Sequence, residues 1–138
     1  MNQIARGDVA LRHAVEELLD ERRQLLVLFC RLVGAGRAEA PQLLERFCQV
    51  LIDYTSLWQF EFHDDLIRRA NGDARLLECL EREQPHILGA NEAALAFNDH
   101  YDESDGRLDP RELDQWLTRL GEQLAGRFDA EDRILAAL

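Results

Sequence analysis

Glycine, proline and helix-capping residues stand at the ends of four long segments, and this arrangement constrains the fold more than any other feature. Within each segment apolar residues recur every three or four positions, which is the period of an α-helix. No segment shows the sustained alternation that a half-buried strand needs. The short connections favour helices that run antiparallel to their neighbours. We therefore predict an all-α protein, an antiparallel helical bundle of four or more long helices, over residues 8–33, 41–70, 73–101 and 109 onward.

The first predicted helix begins at Asp8, a residue type that caps helices, and ends before Gly34 and Gly36. One charged residue, Arg22, interrupts its expected core-facing stripe. The stripe consists of Leu11, Val15, Leu18, Leu25, Phe29 and Val33.

The second predicted helix starts after Ala40 and has Pro41 in its first turn, where the missing N–H does no harm. It continues to Ala70 and ends at Asn71-Gly72. One side carries an apolar stripe broad enough to face a core. The members of the stripe are Leu44, Phe47, Cys48, Leu51, Tyr54, Thr55, Trp58, Phe62 and Leu66.

The third predicted helix is capped by Asp73 and reaches about Tyr101, with Pro85 in its middle. A proline inside a helix removes one backbone hydrogen bond and clashes with the preceding turn. We therefore expect this helix to be kinked or split at Pro85.

A polar stretch, residues 102–107, leads to the fourth predicted helix, which combines a capping Asp109 with Pro110 at the first helical position. Gly126 weakens the helical pattern near its end. The stripe of this helix consists of Leu113, Trp116, Leu117, Leu120, Leu124 and Phe128, and the apolar end is formed by Ile134, Leu135 and Leu138.

Length and charge limit the possible partners. The 138 residues suffice for one domain with its own core, so residues 1–138 are expected to form a single domain. The formal net charge is −11, with 27 acidic residues. The sequence contains no Lys, so all 16 basic residues other than His are Arg. Direct nucleic-acid binding usually requires a basic face, so it is not expected. The acidity fits either a basic protein partner or a simple requirement for solubility.

The three cysteines, Cys30, Cys48 and Cys79, are well separated and lie in apolar stretches. This pattern indicates buried thiols in a reducing compartment rather than a disulfide framework. The N-terminal residues lack the apolar run of a signal peptide, and no apolar run is long enough to span a membrane. The expected location is therefore the cytoplasm, with no contact with the membrane.

The side of the second helix opposite the apolar stripe is unusual, because it is not plainly polar. A large aromatic residue lies there between carboxylates, which suggests a recognition patch. The alternative is that the helix is central and both of its faces pack. The residues concerned are Asp53, Ser56, Phe60, Asp64 and Ile67, with Leu57 at the margin.

The segment from Phe47 to Ile67 resembles the signature of the Rsd/AlgQ family, the regulators of sigma D. The likeness lies in Phe47-Cys48, the triplet Ile52-Asp53-Tyr54, then Ser56 and Phe60. Three further stretches, 21–34, 94–102 and 120–135, also resemble the family. The last of these includes the pairs Arg127-Phe128 and Glu131-Asp132.

The resemblance implies a non-enzymatic anti-sigma factor that binds region 4 of the primary sigma factor. That region reads the −35 promoter element with a basic helix-turn-helix and also contacts core polymerase, so occupying it would block both contacts and regulate transcription. The family is linked to stationary phase, and some members also bind the phosphocarrier protein of the sugar phosphotransferase system. By their match to the motif, Asp53, Ser56 and Phe60 are expected to bind the partner. Helical spacing adds Leu57 and Asp64.

Two stretches depart from the family pattern. Leu57-Trp58-Gln59 stands where the family commonly has Ala-Gly-His, and Glu16-Glu17-Leu18 stands where it often has Asp-Arg-Trp. A regulator that binds a phosphocarrier or an alarmone enzyme through the same surface is therefore an alternative.

A metal-binding or redox bundle is the alternative from another class. A di-iron bundle needs two Glu-x-x-His motifs, whereas this chain has one such spacing, from Glu83 to His86, which Pro85 interrupts. No nucleophile and base arrangement and no phosphate-binding loop is visible. Neither an enzymatic activity, nor a metal site, nor a cofactor is therefore expected.

Overall fold

The computed structural model describes residues 2–36, 38–102 and 108–138, with the side chains of residues 2–8 and 61 left aside. Helices account for nearly all of them, and the described residues contain no strand. The all-α bundle is thus confirmed. The helices are α1 (Asn2–Val33), α2 (Ala40–Leu57), a π-helical turn (Trp58–Phe62), α3 (His63–Ala70), α4 (Ala74–Asp102) and α5 (Pro110–Ala136).

α4 and α5 pack along their length and run in opposite directions. Near one end of the pair, the Glu83 carboxylate accepts two bonds from Arg133 Nε, at 2.7 and 2.9 Å. Near the other end, His100 Nε2 lies 2.7 Å from Glu112 Oε1. Because the early part of α4 meets the late part of α5, and the reverse, the two helices are antiparallel.

α1 also runs antiparallel to α5, and one glycine allows the close approach. Arg22 in α1 pairs with Asp132 at 2.9 Å, while Phe29 lies further along, against Gly121. A Cβ atom at Gly121 would lie only 2.9 Å from the Phe29 ring. A larger residue at this position would therefore require the Phe29 ring or the helices to move.

Local capping follows the expected chemistry. Pro41 lies in the first turn of α2. The Asp73 carboxylate accepts the Leu76 N–H at 3.1 Å, and the Asp109 carboxylate accepts the Arg111 N–H at 3.0 Å. Each bond satisfies an N–H that has no partner inside its helix. These residues therefore set the starts of α4 and α5.

The first helix ends at Val33 as predicted, but it differs from its prediction at its start and in its buried stripe. α1 begins at Asn2, so the backbone of Asp8 is already helical and this residue is not the cap. At the other end Val33 is 56% exposed, whereas Leu32 is buried. The buried stripe advances from Leu25 by three and then four residues, which keeps it on one face. Val33 lies eight residues from Leu25, and this spacing rotates it toward solvent.

The long segment from Ala40 to Ala70 is continuous, but it contains a π-helical turn where a plain α-helix was predicted. The His63 N–H donates to the Trp58 carbonyl, five residues earlier. The stacked rings of Trp58 and Phe62 are both buried, with centroids 5.6 Å apart. Single π turns of this kind occur often at functional sites.

α4 continues through Pro85, so the helix is not split there. The same stretch contains Glu83, which is buried and paired with Arg133 of α5. The long packing contact with α5 therefore supports the helix where the proline removes a backbone bond.

The prediction of buried thiols holds for one cysteine only. Cys79 is buried, Cys48 is half-buried, and Cys30 is exposed. The apolar run before Cys30 predicts a buried thiol, but this residue lies on the outer side of α1. Burial, followed by the charge of Asp102, raises the pKa of Cys48 to about 11, which keeps that thiol protonated at neutral pH.

Within the described ranges, no helix is both long and apolar enough to cross a lipid bilayer.

An ionic network at the centre of the bundle joins α1, α2 and α5. Glu131 and Arg127 are fully buried and lie one helical turn apart, with 3.1 Å between Arg127 Nε and the carboxylate. The Tyr54 hydroxyl donates to the same carboxylate oxygen, Glu131 Oε2, at 2.5 Å. Arg22, which interrupts the stripe of α1, reaches both Glu131 and Asp132. Arg22 therefore provides a charge partner for α5.

Stacking and burial reinforce this network. The Arg127 guanidinium lies 4.5 Å from the centre of the Tyr54 ring and donates a second bond to Asn91 of α4. Burial, together with the charge of Glu131, raises the pKa of Tyr54, so its hydroxyl remains a donor. Burial acts to lower the pKa of Arg22, but the hydrogen bonds and charges of Asp132 and Glu131 together outweigh burial and raise it. Tyr54 and Arg22 are therefore held in the protonation states that their contacts require.

Candidate functional site

An open groove lies on the surface where α1 passes α2. Four carboxylates and one large aromatic side chain surround it, and the remaining residues are small or apolar. We call it the acidic groove. It is lined by Glu17, Asp20 and Glu21 of α1, by Asp53, Ser56 and Leu57 of α2, and by Phe60 of the π turn.

Phe60 is the most exposed large apolar residue of the described part of the chain, at 79%. Its neighbours Trp58 and Phe62 point inward and are buried. The π turn therefore presents two of its three aromatic rings to the core and the third to solvent. Of the two interpretations of this helix face, the structure favours the exposed patch over the doubly packed helix.

Four of the five candidate binding residues meet at the acidic groove. Asp53 is exposed and accepts a bond from Gln49 Nε2 at 3.2 Å. Ser56 and Leu57 are half-buried on the groove wall, next to Phe60. Asp64 does not line the groove. Its side chain is 86% exposed, and it lies one turn beyond Phe60 along the same helical surface.

Three carboxylates of α1, those of Glu17, Asp20 and Glu21, were not predicted as site residues. Their spacing of three and one places them on one side of α1, which is a sequence signal. That signal alone does not reveal that α1 crosses α2 beside Asp53. Only the packing of α1 against α2 places these three carboxylates at the groove.

The carboxylates of the acidic groove repel one another. Partial burial, followed by the charges of Asp53, Asp20 and Glu17, raises the pKa of Glu21. Among the described residues, the bonds of Arg23 and Gln24 to Asp20 relieve part of this repulsion, and His13 Nε2 lies 3.5 Å from Glu17. A cationic group in the groove would lower the repulsion, so the groove is suited to a basic ligand.

The two departures from the family pattern have different structural roles. Leu18 and Trp58 belong to the core. Glu17 and Leu57 line the acidic groove, and Gln59 is exposed beside it. The departures therefore change both the wall of the groove and the packing beneath it.

The single Glu-x-x-His spacing does not form a metal site. Glu83 is engaged by Arg133, whereas His86 is exposed. Across residues 2–36, 38–102 and 108–138, no group of three His, Cys, Asp or Glu side chains is arranged to hold a metal ion.

A bundle of four long helices with an open, charged and aromatic-rimmed surface groove defines a class of protein suited to binding another protein. The family model for the regulator of RNA polymerase sigma(70) subunit, Rsd/AlgQ, matches residues 3–138. The chain belongs to the Rsd/AlgQ family.

Named relatives agree with this assignment. The regulator of sigma D of Enterobacter sp. (strain 638) is 33% identical over 134 residues, which cover 88% of this chain and 78% of that protein. The protein of the same name from Yersinia enterocolitica is 27% identical over 129 residues, covering 88% of this chain and 77% of that protein. No solved structure matched the chain.

The motif residues of the family separate into two structural groups. Tyr54, Arg127 and Glu131 form the buried ionic network, which joins helices to one another. Asp53, Ser56 and Phe60 line the acidic groove. The first group holds the helices together, whereas the second lies on an open surface that a partner can reach.

Proposed function

We propose that the acidic groove binds region 4 of the primary sigma factor and thereby blocks the promoter and core-polymerase contacts of that region. The observation that carries the proposal is the 79% exposure of the Phe60 ring at the rim of a groove with four carboxylates. Covering this ring with a partner would remove apolar surface from water, which favours binding. Inhibition would be stoichiometric, because one bound chain occupies one sigma factor.

Charge complementarity supports this choice of partner. A helix-turn-helix that reads DNA is basic, and the groove is acidic within a chain of formal net charge −11. Long-range attraction of this kind speeds the encounter of two proteins and disfavours acidic partners. The chain would thus present to sigma a charge pattern similar in sign to that of the DNA it displaces.

We assign distinct roles to the candidate residues. Phe60 is the apolar anchor, and Asp53 pairs with an Arg or Lys of sigma. Ser56 is small and lets the partner backbone approach. Leu57 and Asp64 lie at the periphery of the contact.

Asp53→Asn tests the electrostatic part of the proposal. The substitution keeps the size of the side chain and removes one charge, so we expect association with region 4 to slow by roughly threefold to tenfold at low salt. The dependence of the association rate on salt should become shallower. Stopped-flow measurements over a range of ionic strength give both quantities. Glu81→Gln is the control, because Glu81 is exposed on α4 outside the groove. Equal effects of the two substitutions would contradict a specific role for Asp53.

The raised pKa of Glu21 predicts that binding releases protons. A bound cation favours the carboxylate, so it returns the pKa of Glu21 toward its ordinary value. As the pH falls through the raised pKa, above 4.5, protons compete with the partner and the affinity should fall. Calorimetry at mildly acidic pH, in buffers of different ionisation enthalpy, measures the release. Glu21→Gln should abolish the contribution of this residue to proton release. A binding enthalpy that is independent of the buffer in the wild type would refute the link between binding and proton release.

A phosphocarrier protein is the second partner to consider, as the family resemblance implies. If it uses the acidic groove, it should compete with sigma region 4. If the chain binds the phosphocarrier and sigma region 4 at the same time, the phosphocarrier uses a different surface.

A further inference from the structure

A second groove lies on the other side of α2, where α2 faces α4. Ser56 belongs to the walls of both grooves, so the two grooves are neighbours on either side of α2. The second groove is flanked by two exposed apolar side chains, Ile52 at 46% and Leu95 at 63%. We call it the α2–α4 groove.

Asn98 on the wall of the α2–α4 groove is incompletely bonded. Its side chain is 92% buried, and its Oδ1 atom accepts no hydrogen bond from the described residues. The nearby Thr55 hydroxyl cannot serve, because it donates to the carbonyls of its own helix. A buried acceptor without a donor lowers stability. A group from outside that donates to it would recover this loss.

 Leu95 lies between Glu92 and Asp99 on one face of α4, at spacings of three and four residues, and both carboxylates are exposed. The pattern of an apolar side chain between carboxylates matches that of the acidic groove. Both grooves therefore select the same chemistry, a basic surface with apolar side chains.

We propose that the α2–α4 groove is the second half of the docking surface for the same basic partner. An apolar side chain of the partner packs between Ile52 and Leu95, and a neighbouring hydrogen-bond donor reaches Asn98 Oδ1. This inference rests on the proposed function, because it assigns a second contact to the same sigma factor.

The size of a stable contact supports a surface with two halves. A specific protein–protein interface buries about 800 Å² on each partner, from roughly 20 to 30 residues. The acidic groove has seven lining residues. A helical partner laid across α2 would cover both grooves and meet Ser56, whose small side chain allows close approach at the crossing.

Two substitutions test this half of the surface in titrations with the full-length primary sigma factor. Leu95→Ala removes an exposed side chain, so the fold should be unaffected and the dissociation constant should rise about tenfold. Asn98→Leu removes the acceptor, so we expect a similar loss of affinity with a thermal midpoint that is unchanged or higher. Leu77→Ala is the matched control, since Leu77 is an exposed leucine of α4 that does not line the groove.

The outcomes separate this inference from the proposed function. If Phe60→Ala binds sigma more weakly while Leu95→Ala and Asn98→Leu bind it as the wild type does, the role of the α2–α4 groove is overturned and the proposed function stands. Wild-type affinity in all three variants, or no binding of sigma by the wild type, would overturn both. If Asn98→Leu does not fold, Leu95→Ala alone decides the matter.

Discussion

Glu131→Ala is expected to lower the free energy of unfolding by about 3–5 kcal/mol. Glu131 is fully buried, and its loss would leave the Arg127 guanidinium enclosed without its carboxylate partner. The Tyr54 hydroxyl would lose its acceptor at the same time. Urea denaturation followed by circular dichroism measures the change, provided that the slope of the unfolding free energy against urea concentration is the same in both proteins.

The neighbouring Asp132→Ala is the control for this prediction. Asp132 also pairs with Arg22, but its side chain is 57% exposed, so water replaces the lost contact. We expect a cost below about 1 kcal/mol. Removing both charges, with Arg127→Met and Glu131→Leu together, should recover much of the stability lost in Glu131→Ala. A cost for Glu131→Ala as small as that for Asp132→Ala would show that the network does not hold the bundle together.

Phe60→Ala is expected to weaken the binding of sigma region 4 by about 2 kcal/mol or more, which corresponds to roughly thirtyfold in the dissociation constant. An aromatic anchor at the centre of a contact excludes water from the charged pairs around it. The carboxylates beside Phe60 would then act in a wetter and weaker environment. Isothermal titration calorimetry with purified region 4 measures the dissociation constant directly.

The structure supplies the controls for the Phe60 experiment. Because Phe60 is 79% exposed, the variant should retain the wild-type helical content and thermal midpoint. Val27→Ala removes an exposed apolar side chain of α1 outside the acidic groove, and it should bind as the wild type does. Unchanged affinity of the properly folded Phe60→Ala variant would remove Phe60 from its role as anchor.

Much of the fold can be predicted from local signals in the sequence. Asp73 and Asp109 form the caps that their positions indicate, because capping needs only one side chain and the first turn of its helix. The stripe of the second helix is buried at Leu44, Phe47 and Leu51, as its period requires. Signals of this kind depend on neighbours within a few residues, so one sequence is enough to read them.

The features that the sequence does not reveal depend on contacts between distant segments. Arg22 interrupts an apolar stripe, and nothing nearby in the sequence indicates that Glu131 is its partner across the bundle. The π turn likewise depends on the burial of Trp58 and Phe62 against other helices. Cys30 follows an apolar run, yet it lies on the outer side of α1.

The residues of the candidate site also divide into those that local spacing predicts and those that depend on contacts between distant segments. Helical spacing brings Asp53, Ser56 and Phe60 to one strip, and the structure places them together. The contribution of Glu17 and Glu21 follows only from the crossing of α1 over α2. The acidic character of the groove is therefore a tertiary property, although each carboxylate is visible in the sequence.

The most direct test of the central claim is a map of the contact surface by nuclear magnetic resonance. Backbone amide signals of the isotope-labelled chain would be followed while unlabelled sigma region 4 is added. We predict that the largest shifts fall on residues 17–21 of α1 and 53–60 of α2 and the π turn. Shifts confined to the outer face of α5, around the exposed residues Arg119 and Glu122, would contradict the proposed docking surface.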